Sequence, residues 1–96
     1  MIQSFRDETA ADLFRERNSR AARRIPQALW RGVQRKLKLL DAAPRLDDLL
    51  VPAGNRLEAL KADRSGRHSI RVNDQYRITF RWESGHAFEV DVEDSH

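Results

Sequence analysis

The spacing of apolar residues divides the chain into two parts. In the first part, apolar side chains recur every three or four residues, which is the period of an amphipathic helix. Asp7 is a suitable N-cap for a first helix of two to three turns, and Pro26 is a suitable first residue for a second helix that ends near residues 41–43. The apolar stripe of the second helix consists of Leu29, Val33, Leu37 and Leu40, with Trp30 beside them.

From Leu57 onward, apolar residues alternate with polar ones, which is typical of strands with one buried face. Residues 57–60 predict a brief strand, and three longer strands follow, joined by turns at 73–75 and 83–86. The short apolar segment 2–5 predicts an edge strand. The residues predicted to face the core are Ile70, Val72, Tyr76, Ile78, Phe80, Trp82, Phe88, Val90 and Val92, with Ala87, Glu89 and Asp91 on the other face.

A sheet with one apolar face needs a second layer, and the two helices supply it. The predicted fold class is therefore α+β, with an antiparallel sheet packed against two N-terminal helices in a single domain over residues 1–96. His68 shares the parity of Ile70 and is expected to be a half-buried core residue. The opposite face is expected to be open to solvent or to a ligand, and it carries Arg67, Arg71, Arg77 and Arg81 with Ser69 and Thr79.

Charge is distributed unevenly along the chain, although the net charge is only +3. Residues 15–45 contain ten Arg or Lys against two acidic residues, whereas the residues after Arg81 contain five acidic residues and no Arg or Lys. Clustered Arg side chains favour a phosphate-backbone partner, because guanidinium binds phosphate with two hydrogen bonds. The alternative is that these Arg residues only solubilise helix surfaces.

Several classes of protein are excluded by what the sequence lacks. There is no cysteine, so there is neither a disulfide framework nor a Cys-ligated metal. The sequence contains no Gly-rich phosphate loop, no His-rich metal pattern and no serine-nucleophile motif, and no metal or cofactor is expected. It has no apolar run of the roughly 20 residues that span a bilayer, and no signal-peptide core at residues 1–6. A cytoplasmic location without membrane contact is expected.

RNA cleavage without a metal ion requires three kinds of group. A base takes the proton of the 2′-hydroxyl, an acid protonates the leaving 5′-oxygen, and cations stabilise the phosphorane-like transition state. Lys61, Arg64, Arg67, Arg77 and His96 are residues of the required types. From the residues alone, the chain is interpreted as a basic α+β domain directed at RNA.

Four segments carry a resemblance to a known family. They are Leu-Lys-Ala-Asp-Arg-Ser-Gly-Arg at 60–67, Ser-Ile-Arg-Val-Asn at 69–73, Tyr-Arg-Ile-Thr-Phe at 76–80 and Asp-Val-Glu-Asp-Ser-His at 91–96. With the opening Met-Ile-Gln-Ser-Phe-Arg, this pattern resembles the HigB branch of the RelE/ParE toxin superfamily. The resemblance implies a microbial-ribonuclease-like fold and a metal-independent endoribonuclease activity on mRNA in the A site of translating ribosomes.

The resemblance also implies partners and site residues. The expected partner is a HigA-type helix-turn-helix antitoxin, and operator DNA is expected to be bound only through the toxin–antitoxin complex. By position, the implied catalytic residues are Lys61, Arg77, Asp94 and His96, with Lys61 and His96 sharing the acid–base work. The residues expected to bind RNA are Arg64, Arg67, Arg71 and Arg81.

Two positions depart from the family pattern. Ser95 stands where the closing motif usually has Tyr, and His68 stands where relatives often have an aromatic residue. The loss of an aromatic ring beside the scissile phosphate predicts a mild toxin. The alternative hypothesis is a non-catalytic module that binds RNA or the ribosome, or that acts chiefly as a co-repressor with its antitoxin.

Overall fold

A computed structural model describes residues 1–94 of the chain. The sheet is antiparallel with the order β1-β2-β3-β4, and the helices precede it in the chain. The helices and strands are α1 (Glu8–Phe14), α2 (Trp30–Ala42), β1 (Glu58–Ala59), β2 (Arg67–Arg71), β3 (Tyr76–Glu83) and β4 (His86–Asp94). The predicted α+β class, the two N-terminal helices and the four-stranded antiparallel sheet are thereby confirmed.

The N-terminal segment lies at the edge of the sheet beside β4, where it forms two isolated bridges in place of the predicted edge strand. Ile2 and Phe5 form parallel bridges with Ala87 and Val90. The backbone N–H of Gln3 donates to the Ala87 carbonyl at 2.8 Å, and the N–H of Arg6 donates to the Val90 carbonyl at 2.9 Å. This segment therefore covers the outer edge of β4, which would otherwise expose unpaired backbone groups.

The two helices begin in different ways. The Asp7 carboxylate accepts a hydrogen bond from the Ala10 N–H at 3.3 Å, so Asp7 caps α1 as predicted. Helix α2 begins at Trp30, and the prediction that Pro26 is its first residue was wrong. Pro26 has an extended ψ of 131° and precedes a short 3-10 helix, Gln27–Leu29. The indole N–H of Trp30 donates to the Ile25 carbonyl at 2.8 Å, which fixes the start of α2.

The core lies between the helices and one face of the sheet. Val33, Leu37 and Leu40 of α2 are fully buried, as the helical stripe predicted. They belong to one cluster with residues of β2, β3 and β4, of which Phe80 is the largest fully buried side chain. Burial of this apolar surface is the main favourable term in folding, because it removes the surface from water.

Strand β4 contains a bulge that the alternating pattern did not predict. In the register of β3 and β4, Thr79 lies opposite Asp91 and Arg81 lies opposite Phe88, so two residues of β4 oppose one residue of β3. Glu89 has a φ of 52°, in the left-handed region. The bulge therefore lies at Glu89. The backbone N–H of Glu89 donates to the Ser4 hydroxyl at 2.9 Å.

The bulge reverses the facing of the residues that precede it in β4. Ala87 is fully buried, whereas Phe88 is half-buried on the opposite face, beside Arg81. The prediction that Phe88 shares the core face with Val90 and Val92 was wrong. The physical reason is that one extra residue shifts a period of two by one position, which exchanges the two faces.

His68 is half-buried, and this confirms its predicted place at the core. Its ring stacks on that of Phe80 with 6.1 Å between centroids. Burial lowers the pKa of His68 from its ordinary value, because the charged imidazolium loses hydration. The folded state therefore favours the neutral ring.

This environment predicts a pH dependence of stability. Below about pH 6.5 the unfolded chain binds a proton at His68 more readily than the folded chain does, so the free energy of unfolding falls as the pH falls. A His68→Phe variant is expected to lose less stability between pH 7.5 and pH 5.5 than the natural chain. Urea unfolding at both pH values measures the difference, and equal losses in the two proteins would contradict the prediction.

Candidate nucleic-acid interface

The face of the sheet that points away from the helices is called here the arginine face. Residues directly opposite each other on paired strands share a face, so the register arranges this surface in three rows. The first row is Arg71, Arg77 and Glu93, the second is Ser69, Thr79 and Asp91, and the third is Arg67, Arg81 and Phe88. The four Arg residues that the sequence assigned to this face are confirmed there.

The first row places two like charges together. Arg71 lies directly opposite Arg77, and like charges in that position destabilise a sheet. Arg71 forms an ion pair with Asp74, while the Nε atom of Arg77 is buried and has no hydrogen-bond partner within residues 1–94. An anion bound at this row would offset the repulsion and would give the Arg77 Nε–H an acceptor.

A groove of about 230 Å³ lies over the first row. Three Arg residues and two acidic residues contribute to its lining. The lining residues are Arg56, Glu58, Ser69, Arg71, Asn73, Asp74, Tyr76 and Arg77. The Arg residues of this lining suit a phosphate group, because a guanidinium binds phosphate with two hydrogen bonds.

Glu93 is the acidic member of the first row and is tightly held. Arg64 donates to both of its carboxylate oxygens, at 3.1 and 2.5 Å, and the Thr79 hydroxyl donates to one of them. Burial alone would raise the pKa of Glu93, but the hydrogen bonds from Arg64 and Thr79 and the charges of Arg64 and Arg77 hold that pKa below its ordinary value. Glu93 is therefore a fixed anion at neutral pH and orients Arg64.

Arg67 crosses the middle of the arginine face. Its guanidinium donates to the Thr79 hydroxyl at 3.2 Å and to the Glu89 carbonyl oxygen at 3.0 Å, and it pairs with the Glu89 carboxylate at 3.3 Å. Only 11% of the Arg67 side chain is exposed. The face was expected to be open to solvent or to a ligand, but at Ser69 and Thr79 it is buried, because long side chains lie across the strands there.

A second, wider groove of about 910 Å³ runs between the loop before β2 and the N-terminal segment. It is lined by Phe5, Arg6, Asp63, Arg64, Arg67, Glu89, Asp91 and Glu93. Burial raises the pKa of Asp91, and the neighbouring charges of Asp7 and Glu93 raise it further. The groove therefore mixes cations with carboxylates, one of which favours its protonated form more than an exposed Asp does.

The structure brings some of the predicted site residues together and separates others. Arg71 and Arg77 line the first groove, Arg64 and Arg67 line the second, and Arg81 lies beside Phe88 in the third row. Asp94 ends β4 directly opposite Tyr76. Lys61 is exposed in the connection between β1 and β2, and it lines neither of these two grooves. His96 and Ser95 lie outside the described residues.

Sequence reasoning missed three residues of these surfaces. Glu93 was counted only as part of an acidic tail, although its alternation with Asp91 indicates a shared face. Phe88 was assigned to the core because the strand was assumed to alternate regularly. No residue type in this segment indicates the bulge at Glu89. Arg56 has a left-handed conformation with a φ of 45°, and no local pattern in the sequence indicates that it reaches the first groove.

The described residues were also compared with the requirements of a metal site and of a membrane-spanning helix. Among residues 1–94, no three His, Asp or Glu side chains converge closely enough to hold a metal ion. In the same part of the chain, none of the helices combines the length and the apolar character that a membrane crossing requires.

Comparison with known proteins gives the family. Residues 3–96 match the profile of the HigB-like toxins, described as RelE-like toxins of the type II toxin–antitoxin system HigB. This chain belongs to the HigB family. It is 39% identical over 87 residues to the toxin HigB-1 of Vibrio cholerae, which covers 91% of this chain and 90% of that toxin. The resemblance inferred from the sequence motifs is confirmed.

A second relative and a solved structure extend the comparison. The HigB-family chain is 31% identical over 96 residues to a Proteus vulgaris protein named endoribonuclease HigB, with full coverage of both chains. Its fold matches a chain of the YoeB–YefM complex from Staphylococcus aureus with a TM-score of 0.62, at 14% identity and with coverage of 100% and 99%. At that identity the structural match shows the shared fold.

Proposed function

We propose that this HigB-family toxin is a metal-independent mRNA endoribonuclease that acts on mRNA in the A site of translating ribosomes and thereby inhibits translation. The observation that carries the proposal is the first row of the arginine face. Arg71 and Arg77 lie directly opposite each other there, next to Glu93 near the end of β4, and the buried Arg77 Nε–H has no hydrogen-bond partner among residues 1–94. The name of the Proteus vulgaris relative supports the same reaction.

The proposed reaction is attack of a ribose 2′-oxygen on the adjacent phosphorus. The base removes the 2′-hydroxyl proton, the new P–O bond forms, and the bond to the 5′-oxygen breaks as the acid protonates that oxygen. The products are a 2′,3′-cyclic phosphate and a 5′-hydroxyl. Lys61 and His96 share the acid–base roles, and Asp94 orients the groups at the end of β4.

The cations divide into two roles in this proposal. Arg77 binds the scissile phosphate and stabilises the charge that develops on it, because it lines the first groove and its buried Nε–H has no hydrogen-bond partner among residues 1–94. Arg71, Arg64 and Arg81 contact neighbouring phosphates, and Arg67 adds positive potential while it holds the bulge. The fixed anion Glu93 keeps Arg64 in place through its two hydrogen bonds.

The proposed protein partner is a HigA-type helix-turn-helix antitoxin. Family membership supports this partner, and the structural neighbour is itself part of a toxin–antitoxin complex. Binding of operator DNA is proposed to occur only through that complex. The basic surface at 15–45 and the arginine face are the two surfaces whose charge suits either an acidic protein or a phosphate backbone.

Primer extension on a defined mRNA in a purified translation system tests the proposed function. The natural chain is compared with Lys61→Ala and His96→Ala variants, with and without ribosomes. Cuts that require ribosomes and disappear in both variants are expected. If both variants still cut the mRNA, the proposed endoribonuclease activity would stand, but the assignment of Lys61 and His96 as acid and base would be wrong.

A separate outcome would overturn the enzyme itself. If the natural chain binds ribosomes and produces no cuts, the non-catalytic binding module becomes the better interpretation. Ribosome co-sedimentation, performed on the same preparations, separates that outcome from a failure to bind.

The departure at Ser95 predicts a gain of activity. A Ser95→Tyr variant is expected to cleave mRNA roughly tenfold faster than the natural chain, because an aromatic ring that stacks on a base contributes about 1–3 kcal/mol. The rate of cleavage on programmed ribosomes at saturating toxin measures the effect. A Ser95→Leu variant adds bulk without an aromatic ring and serves as the control. An unchanged rate for Ser95→Tyr would contradict the proposal that the natural toxin is mild for this reason.

A further inference from the structure

The bulge at Glu89 places an aromatic side chain on the charged face of the sheet. The guanidinium carbon of Arg81 lies 4.6 Å from the centroid of the Phe88 ring, so the two groups stack. Phe88 is only half-buried, and unlike Phe5, Phe14 and Trp82 it is not among the partly buried apolar residues that pack against the core. Its ring is thus available on the arginine face.

The surroundings of this pair fix its geometry. Arg81 also forms an ion pair with the carboxylate of Glu83. The bulge that sets the position of Phe88 is tied on two sides, since the Glu89 N–H donates to the Ser4 hydroxyl and the Glu89 carbonyl accepts from Arg67. A pair that is held before a ligand arrives loses little conformational entropy when the ligand binds.

The chemistry of the pair suits one class of ligand in particular. Single-stranded RNA is bound by flat side chains, either aromatic rings or Arg guanidinium groups, on which unpaired bases stack. The pair also lies on the same face as Arg77, whose charge favours phosphate, while Arg67 and Arg81 of the third row are paired with the carboxylates of Glu89 and Glu83. An apolar protein partner would be disfavoured by the same charges, since each of them would have to be desolvated.

We propose that Phe88 and Arg81 form a platform on which an unpaired base of the mRNA stacks, near the cleaved phosphate. This inference rests on the proposed function, because it assigns a binding position to the substrate of that reaction. Arg77 and Arg81 are four residues apart on β3, which corresponds to about 13 Å along the strand. A few nucleotides of single strand span that distance, so the platform reads a base close to the cut.

Two series of variants test the platform. In the first, Phe88→Leu removes the aromatic ring and keeps an apolar side chain of similar size, while Phe88→Trp and Phe88→Tyr keep a ring. Phe88→Leu is expected to lower kcat/KM for ribosome-dependent cleavage about tenfold, and the two aromatic variants are expected to stay within about threefold of the natural chain. Thermal unfolding of each variant separates this effect from a loss of folded protein.

The second series changes the RNA instead of the protein. Abasic nucleotides are introduced one at a time at the four positions on each side of the cut. The natural chain is expected to lose about tenfold in cleavage at one of these positions, and Phe88→Leu is expected to lose nothing further there. A leucine variant that cleaves as fast as the natural chain, or that remains equally sensitive at that position, would overturn the platform.

A binding measurement keeps this inference separate from the proposed function. Fluorescence anisotropy of a labelled single-stranded RNA at low salt reports the affinity of the natural chain and of Phe88→Leu without any cleavage. If the natural chain cleaves nothing yet binds this RNA about tenfold more tightly than the variant does, the proposed enzyme fails and the platform stands. If Phe88→Leu weakens binding of the antitoxin and leaves RNA binding unchanged, the surface serves a protein and the platform is overturned.

Discussion

An Arg77→Ala variant is expected to cleave mRNA on programmed ribosomes about 100- to 1,000-fold more slowly than the natural chain, because it loses a positioned donor to the transition-state phosphate. Its fold is expected to survive. Arg77 lies opposite the like-charged Arg71, and Glu93 keeps its hydrogen bonds from Arg64 and Thr79 when Arg77 is removed. Single-turnover cleavage rates and urea unfolding of the same preparations measure the two effects.

Arg77→Lys is the matched control for this prediction. Lysine keeps the positive charge but lacks the planar fork that binds phosphate with two hydrogen bonds, so an intermediate rate is expected. A cleavage rate unchanged in Arg77→Ala would contradict the role assigned to the first row. If Arg77→Ala lost several kcal/mol of unfolding free energy, the role of Arg77 would be to stabilise the fold.

A Phe80→Ala variant is expected to lose about 3–5 kcal/mol of unfolding free energy. Phe80 is fully buried and its ring contacts His68 and Trp82, so truncation removes apolar burial and leaves a cavity beneath the bulge. Small domains have about 5–15 kcal/mol of stability in total, so this change removes a large share. Urea unfolding followed by circular dichroism measures the loss.

Val51→Ala is the corresponding surface control. Val51 is 72% exposed, so its truncation is expected to change the unfolding free energy by less than about 0.5 kcal/mol. A loss below about 1 kcal/mol in Phe80→Ala would mean that the neighbouring side chains close the cavity at little cost. In that case the packing between β3 and the helices would be more adaptable than the full burial of Phe80 indicates.

The sequence predicted those elements whose patterns are local. The stripe of Val33, Leu37 and Leu40 lies on one side of a helix because its spacing matches the helical period, and the structure buries all three residues. The turn at 73–75 followed from its polar residues, and the Asn73 side chain accepts hydrogen bonds from the N–H groups of Gln75 and Tyr76. Such features depend on neighbours in the chain and can be predicted without the fold.

The candidate site was predicted only in part. The alternation of Arg77 with Ile78 and of Arg71 with Ile70 was enough to assign both Arg residues to the face away from the core. Arg71 and Arg77 lie directly opposite each other because of the register of β2 and β3. A pattern of period two does not specify that register uniquely. The inclusion of Arg56 in the same groove depends on a left-handed residue outside any strand.

By itself, the sequence determined the α+β class, the two helices, the four strands, the family and the face on which four Arg residues lie, because these follow from periodicity and motif. Only the tertiary structure decided that Glu93 is fixed by Arg64 and that Phe88 joins the arginine face. The reason is that both outcomes depend on contacts between segments distant in the chain. The bulge at Glu89 is held by Ser4 from the N-terminal segment and by Arg67 from β2, and no local preference of Glu89 encodes either contact.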